Sequence, residues 1–197
     1  MRALGRRGPG IVPKTFMPLL LDEQERYGLW PSFRTWVERA SAGDIVAAYE
    51  ISRNPLARYF LCYRAGRREL HAALPMLVHA LNDSDEDVRW EAADALGRIG
   101  DPSTGYDLFK RLAVEDNRGV RHVLLNSLGW TRYAPALPTL IKALASEDWL
   151  TRYWVASGVG HMGDKSALPA LRQALAREAD DTVQNRMLWA IEALERS

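Results

Sequence analysis

Apolar residues recur along most of the chain at a helical period. Leu74, Leu77, Val78 and Leu81 stand at i, i+3, i+4 and i+7, one face of an α-helix. Pro75 suits the first turn of that helix, where a missing N–H leaves no bond unmade. The polar stretch NDSDED over 82–87 then supplies turn and N-cap chemistry, and Val88, Ala92, Ala95, Leu96 and Ile99 mark the apolar stripe of a second helix. Gly100-Asp101 closes it, as Gly163-Asp164 closes a later one. No strand-like alternation competes with this pattern.

The helix pair repeats. VRWEAADALG, VRHVLLNSLG and TRYWVASGVG align Arg89, Arg121 and Arg152, with Gly97, Gly129 and Gly160 each eight residues later, at spacings of 32 and 31 residues. The same frame reaches Arg58 and Gly66 upstream and Gln184 downstream, and Leu-Pro opens the first helix at Leu74, Leu137 and Leu168. Two amphipathic helices in about 31 residues cannot bury both stripes alone, so neighbouring pairs must stack. The expected fold is all-α, a right-handed α-solenoid of about five two-helix repeats. Its repeats fall at about 44–70, 71–101, 102–133, 134–164 and 165–197, the first and last atypical. Ahead of them, residues 32–43 read as a capping helix with Phe33, Trp36, Val37 and Ala40 on one face, and residues 1–31 as a flexible basic, proline-rich arm.

The motif Leu-Pro-x-Leu, followed by Asp-x-x-Val-Arg-x-x-Ala-Ala-x-Ala-Leu-Gly-x-Ile-Gly-Asp, resembles the short HEAT-like repeat named after phycobilisome lyases. The match is close over 74–101, good over 137–164, looser over 105–133 and 168–194, and weak over 45–66. Residues 1–43 lie outside it. The resemblance implies an armadillo/HEAT-like superhelix whose second helices line a concave groove. It does not select a function, because similar proteins include chromophore lyases, hydroxylases, DNA glycosylases and scaffolds.

With Val88 at zero and about 100° per residue, the core stripe centres near 30°, leaving Trp90 near 200° and Asp94 near 240°. Glu91 and Arg98 flank them. Carried through every repeat, these four positions are Tyr59, Phe60, Tyr63 and Arg67; Trp90, Glu91, Asp94 and Arg98; His122, Val123, Asn126 and Trp130; Tyr153, Trp154, Ser157 and His161; Asn185, Arg186, Trp189 and Ala193. Eight of the twenty are aromatic, where the chain's 9% aromatic content would place about two. Part of this enrichment has a packing explanation, since large flanking residues such as Phe60 and Trp154 can fill the space between crowded second helices. Trp90, Tyr153 and Tyr59 point away from the core, and exposed aromatic rows mark binding surfaces. Trp and Tyr interleaved with Arg and a few carboxylates suit a protein or peptide partner, with Tyr59, Trp90, Trp130, Tyr153, Trp154 and Trp189 as anchors and Glu91, Asp94, Arg98, Asn126 and Arg186 setting polarity. They also suit a small planar or cationic ligand.

Charge and composition narrow the alternatives. Twenty-six Lys and Arg against twenty-five Asp and Glu leave a net charge of +1, so no overall field draws nucleic acid or an anionic membrane. No stretch approaches the roughly 20 apolar residues of a membrane span, and the early run from Phe16 to Leu21 stops at Asp22, which makes the cytosol the expected compartment. Cys62 is the single cysteine, unable to form an internal disulfide and expected to pack between helices. No cofactor or structural metal is expected.

The four histidines are followed by Ala72, Ala80, Val123 and Met162, and without a His-Glu pair a metal-dependent hydroxylase is not expected. His122 and His161 share the groove register, read as polar lining rather than as an acid–base pair. Ser157 and Cys62 lack a placed base. Trp90 and Asp94 at i and i+4 resemble the catalytic pair of HEAT-like alkylpurine DNA glycosylases, yet three Arg against Glu91 and Asp94 is too little charge for several phosphates. A bilin-lyase-like activity using Asp94 or Glu91 is the other enzymatic alternative to a non-catalytic scaffold. Arg89, Arg121 and Arg152 read as ties between repeats, with Asp101 or Asp164 as acceptors.

Overall fold

A computed structural model describes residues 11–22 and 27–197. Every regular element among them is helical, and twelve are α-helices. Two compact units divide the chain, residues 1–95 and 96–197.

In the first unit the helices are α1 (Met17–Leu21), α2 (Trp30–Arg39), α3 (Ala42–Ile51), α4 (Pro55–Arg67), α5 (Leu74–Ala80) and most of α6 (Glu86–Ile99). Ser41 and Asp44 form a reciprocal capping box that starts α3. Asn54 caps α4 by accepting Ala57 N–H at 3.0 Å, with Pro55 in the first turn. The second unit holds the end of α6 and then α7 (Gly105–Leu112), α8 (Arg118–Trp130), α9 (Leu137–Ala143), α10 (Trp149–Met162), α11 (Leu168–Leu175) and α12 (Asp181–Arg196). Asn117, Asp148 and Asp180 cap α8, α10 and α12. A short polar side chain thus opens each second helix, so its orphan N–H groups are met at a fixed point in every repeat.

The apolar stripes are buried where their period places them. Leu77, Val88, Ala92, Ala95 and Leu96 are fully buried, as is Cys62, while Leu74, Val78 and Ile99 are half-buried. The recurring glycine has a steric cause. A Cβ on Gly66 would meet Ala95 at 2.7 Å, one on Gly97 would meet Ser127 Oγ at 2.6 Å, and one on Gly129 would meet the carbonyl oxygen of Gly158 at 1.9 Å. Consecutive second helices therefore touch backbone to backbone at this register. Three residues further on the chain turns left-handed, at Gly100 and Gly163 but also at Glu69 and Arg132, with φ of 67°, 77°, 49° and 52°.

Two boundaries differ from the sequence reading. The helix expected in 32–43 runs from Trp30 to Arg39, because Pro31 sits in its first turn and the Ser41 capping box starts a new helix. Within the stretch read as an arm, Lys14–Phe16 and α1 are helical, and Phe16, Leu19 and Leu20 are buried. Phe16 packs edge-on to Phe33 at 5.5 Å, and Leu20 O accepts Arg53 N–H at 2.6 Å. Phe16, Leu19 and Leu20 thus belong to the first unit's core, while Leu21 is exposed. Residues 1–10 and 23–26 of that arm lie outside the described residues.

Candidate functional site

The second unit gathers its groove-register residues into one continuous ladder. Trp130, at the end of α8, stacks on His161 of α10 with ring centres 3.7 Å apart and planes 24° from parallel. His161 lies 4.8 Å from Trp189 of α12. Arg186, one turn before Trp189, stands over that ring at 5.1 Å and over Tyr153 at 4.7 Å, and its Nη2 donates to the Tyr153 hydroxyl at 2.5 Å. Tyr153 in turn meets Trp154 edge-on at 5.7 Å. Such ring and cation–π contacts contribute about 0.5–1.5 kcal/mol each beyond burial. The ladder holds itself in shape and still leaves Trp130 46% exposed.

Burial, and then the charge of Arg186, push the His161 imidazole down to about 4. At neutral pH the ring is uncharged and stacks as an aromatic surface. Asn126, in the same register on α8, has a buried Oδ1 without a hydrogen-bond partner.

In the first unit the corresponding residues are arranged differently. Phe60 and Tyr63 stack at 6.0 Å, Phe60 lies 6.4 Å from Phe33 of α2, and Arg34 covers its ring at 5.5 Å. Phe60 is thus covered from α2, on the N-terminal side of its repeat. Burial, followed by the charge of Glu91, pushes Tyr59 up to about 12. Trp90 and Asp94 are half-buried on α6, and Arg98 is exposed.

Several expected lining residues stand elsewhere. Glu91 is 2% exposed and His122 5%, so neither sets the polarity of an open surface. His122 Nε2 lies 3.0 Å from Asp148 Oδ2 and 2.9 Å from Thr151 Oγ1. Asp148 also takes an ion pair from Arg118 and the amides of Leu150 and Thr151. Burial, together with the charges of Arg118 and Arg121, lowers the His122 pKa against the pull of Asp148, whereas hydrogen bonds hold Asp148 well below the usual carboxylate range. Val123 and Ser157 are buried as well, because the second helices approach too closely for flank positions to stay open.

The arginine ties also use other acceptors. Arg152 makes a two-pronged pair with Glu178 at 2.6 and 2.7 Å, and Arg58 with Asp83 at 2.7 and 2.8 Å. Arg89 and Arg121 reach loop carbonyls of Asp83 and Ser84, and of Leu112 and Glu115. Asp101 and Asp164 accept the amides of Ser103 and Ser166, starting the next 3-10 turns. The missed acceptors carry a sequence signal, an acid two residues before the cap of the second helix.

Stacked helix pairs with a periodic glycine contact define an all-α HEAT-like solenoid, the class foreseen from the repeat. The family model described as HEAT repeats matches residues 44–129 and 107–192, and the chain belongs to that family. A complex of CpcE and CpcF of phycocyanin lyase from Nostoc sp. PCC7120 has a similar fold, with TM-score 0.60 and 22% identity, covering 76% of this chain and 96% of that one. YibA of Escherichia coli aligns with TM-score 0.67 and 18% identity, over 95% of this chain and 72% of that one. In sequence, 69 residues are 41% identical to deoxyhypusine hydroxylase of Chaetomium globosum, 34% of this chain but only 20% of that protein. The chain spans about a fifth of the length of that curated relative. No group of three or more His, Cys, Asp or Glu among the described residues is placed to hold a metal ion, and no described helix is long and apolar enough to cross a membrane.

Proposed function

We propose that this chain is a non-catalytic binding protein that takes a protein or peptide segment on the aromatic face of α8, α10 and α12. The observation that carries the reading is the ladder from Trp130 through His161, Trp189 and Arg186 to Tyr153. Its rings are held in place before any partner arrives, which lowers the ordering cost of association, and Trp, Tyr and Arg are the side chains that dominate interface energies. Trp90 and Tyr59 in the first unit supply a second, smaller aromatic patch. A cytoplasmic setting belongs to the same reading and is supported by the lone, unpaired Cys62.

Native mass spectrometry of the untagged protein from its own host tests this. The expected result is a co-purifying polypeptide at fixed stoichiometry, lost in Trp130→Ala and in Arg186→Ala while circular dichroism stays unchanged. A small molecule that the natural chain retains and both variants lose, or a polypeptide that both variants keep, overturns it.

The 41% identity to an enzyme over 69 residues favours a second reading, a ligand-handling enzyme. On that reading Asp94 is the working carboxylate, since Glu91 is buried beside Tyr59. Asp94→Asn then removes turnover of the retained ligand, whereas a binding protein keeps its partner through that change.

A further inference from the structure

Four loops join the first helix of a repeat to its second with one recurring bond. A side chain two residues before the cap accepts the cap residue's N–H: Asp83 from Asp85 at 3.0 Å, Glu115 from Asn117 at 2.9 Å, Ser146 from Asp148 at 3.3 Å and Glu178 from Asp180 at 3.0 Å. The position is therefore the same in all four loops, and only at Ser146 is it not a carboxylate. At two junctions that carboxylate also fills the fork of an arginine, Asp83 for Arg58 and Glu178 for Arg152, and those arginine side chains are only 13% and 19% exposed.

Arg121 occupies the matching place. It lies 25 residues before Ser146, as Arg58 lies 25 before Asp83. The serine is too short and carries no charge, so Arg121 is exposed and has no ion-pair partner among the described residues; its Nη1 donates to the carbonyls of Leu112 and Glu115. Beside it, between α7, α8 and α9, a cavity of about 560 Å³ opens, of the size that holds small organic ligands. Arg118, Arg121, His122, Lys142 and Ser146 line it with Phe109, and none of its lining residues is Asp or Glu. Arg118 is already tied to Asp148, which leaves Arg121 and Lys142 as two cations of the lining without an ion-pair partner among the described residues.

We propose that this cavity binds a small organic dianion, a phosphate monoester or dicarboxylate, whose oxyanion takes the place of the missing carboxylate on Arg121. A guanidinium fork is matched by either group, Lys142 meets the second charge, and Phe109, Leu112 and Leu125 receive the organic body. The site is separate from the aromatic ladder and does not depend on what the ladder binds.

Phenyl phosphate, phthalate and inorganic phosphate are titrated into the ¹⁵N-labelled full chain at constant ionic strength, following the Arg121 Nε–H and the amides of residues 146–151. The expected result is saturable shifts with phenyl phosphate or phthalate, weakened at least about tenfold in Arg121→Gln. Ser146→Glu, which restores the carboxylate, should raise the Tm and abolish the binding. Shifts no larger than those from sodium chloride overturn the proposal, as does a Ser146→Glu variant that binds as the natural chain does. Equal affinity for inorganic phosphate overturns the organic class of ligand.

Discussion

The aromatic residues of α4 in the first unit and those of α8, α10 and α12 in the second share one register and have different surroundings. Phe60 sits against Phe33 and under Arg34, so its ring closes the end of a helix stack. Trp130 has His161 on one face and remains nearly half exposed. The first repeat takes apolar cover from α2 and draws Phe60 into packing, whereas α8 packs on α10 and leaves Trp130 open. Register alone therefore does not separate a packed ring from an open one.

The largest effect is expected from the glycine that lets the ladder form. Gly129→Ala drives a methyl into the Gly158 backbone, moves α8 away from α10 and separates Trp130 from His161. Chemical denaturation should show a loss of about 3 kcal/mol or more, with changed tryptophan fluorescence in the native state. Unchanged stability would mean that the helices do not meet there.

Truncating one ring from each region gives the next largest contrast. Phe60→Ala should cost about 2–3 kcal/mol, since it removes a ring packed between α2 and α4, and Trp130→Ala less than about 1 kcal/mol. Equal costs would place both rings in the same structural class and leave the ladder as packing.

The smallest effect is one of pH. Because the folded His161 pKa lies near 4, below the ordinary 6.5, the unfolded chain takes up the proton first. The stability that neutral His161 contributes is complete above pH 6.5 and is lost as the pH falls through 4. His122 shifts in the same direction, so the natural chain should be compared with His161→Gln, in which the decline over that window shrinks. An NMR titration of the His161 ring should give a midpoint near 4, rising toward 6.5 in Trp130→Ala. A midpoint at 6.5 in the natural chain would show that the ring is solvated and the ladder open.

The repeat, its helix pairs and its core stripes were legible in the sequence because they rest on local chemistry repeated every 31 or 32 residues. Asp and Asn caps, Leu-Pro starts and the 3.6-residue period act within one helix, and repetition removes the ambiguity that a single copy would leave. The glycine eight residues after each arginine was visible too, although its cause, a backbone contact as close as Gly129 on Gly158, belongs to the packed pair of helices. Which register residues stay open was not legible. His122 and Glu91 share the spacing of Tyr153 and Trp154, yet both are buried, His122 against the N-cap Asp148. The ladder was equally out of reach, since Trp130, His161, Trp189 and Arg186 come from three helices and meet only once those helices are stacked. Local sequence determines where a helix begins and which stripe it buries; the partner of a side chain on the remaining face depends on residues 25 or more positions away and is decided by tertiary packing.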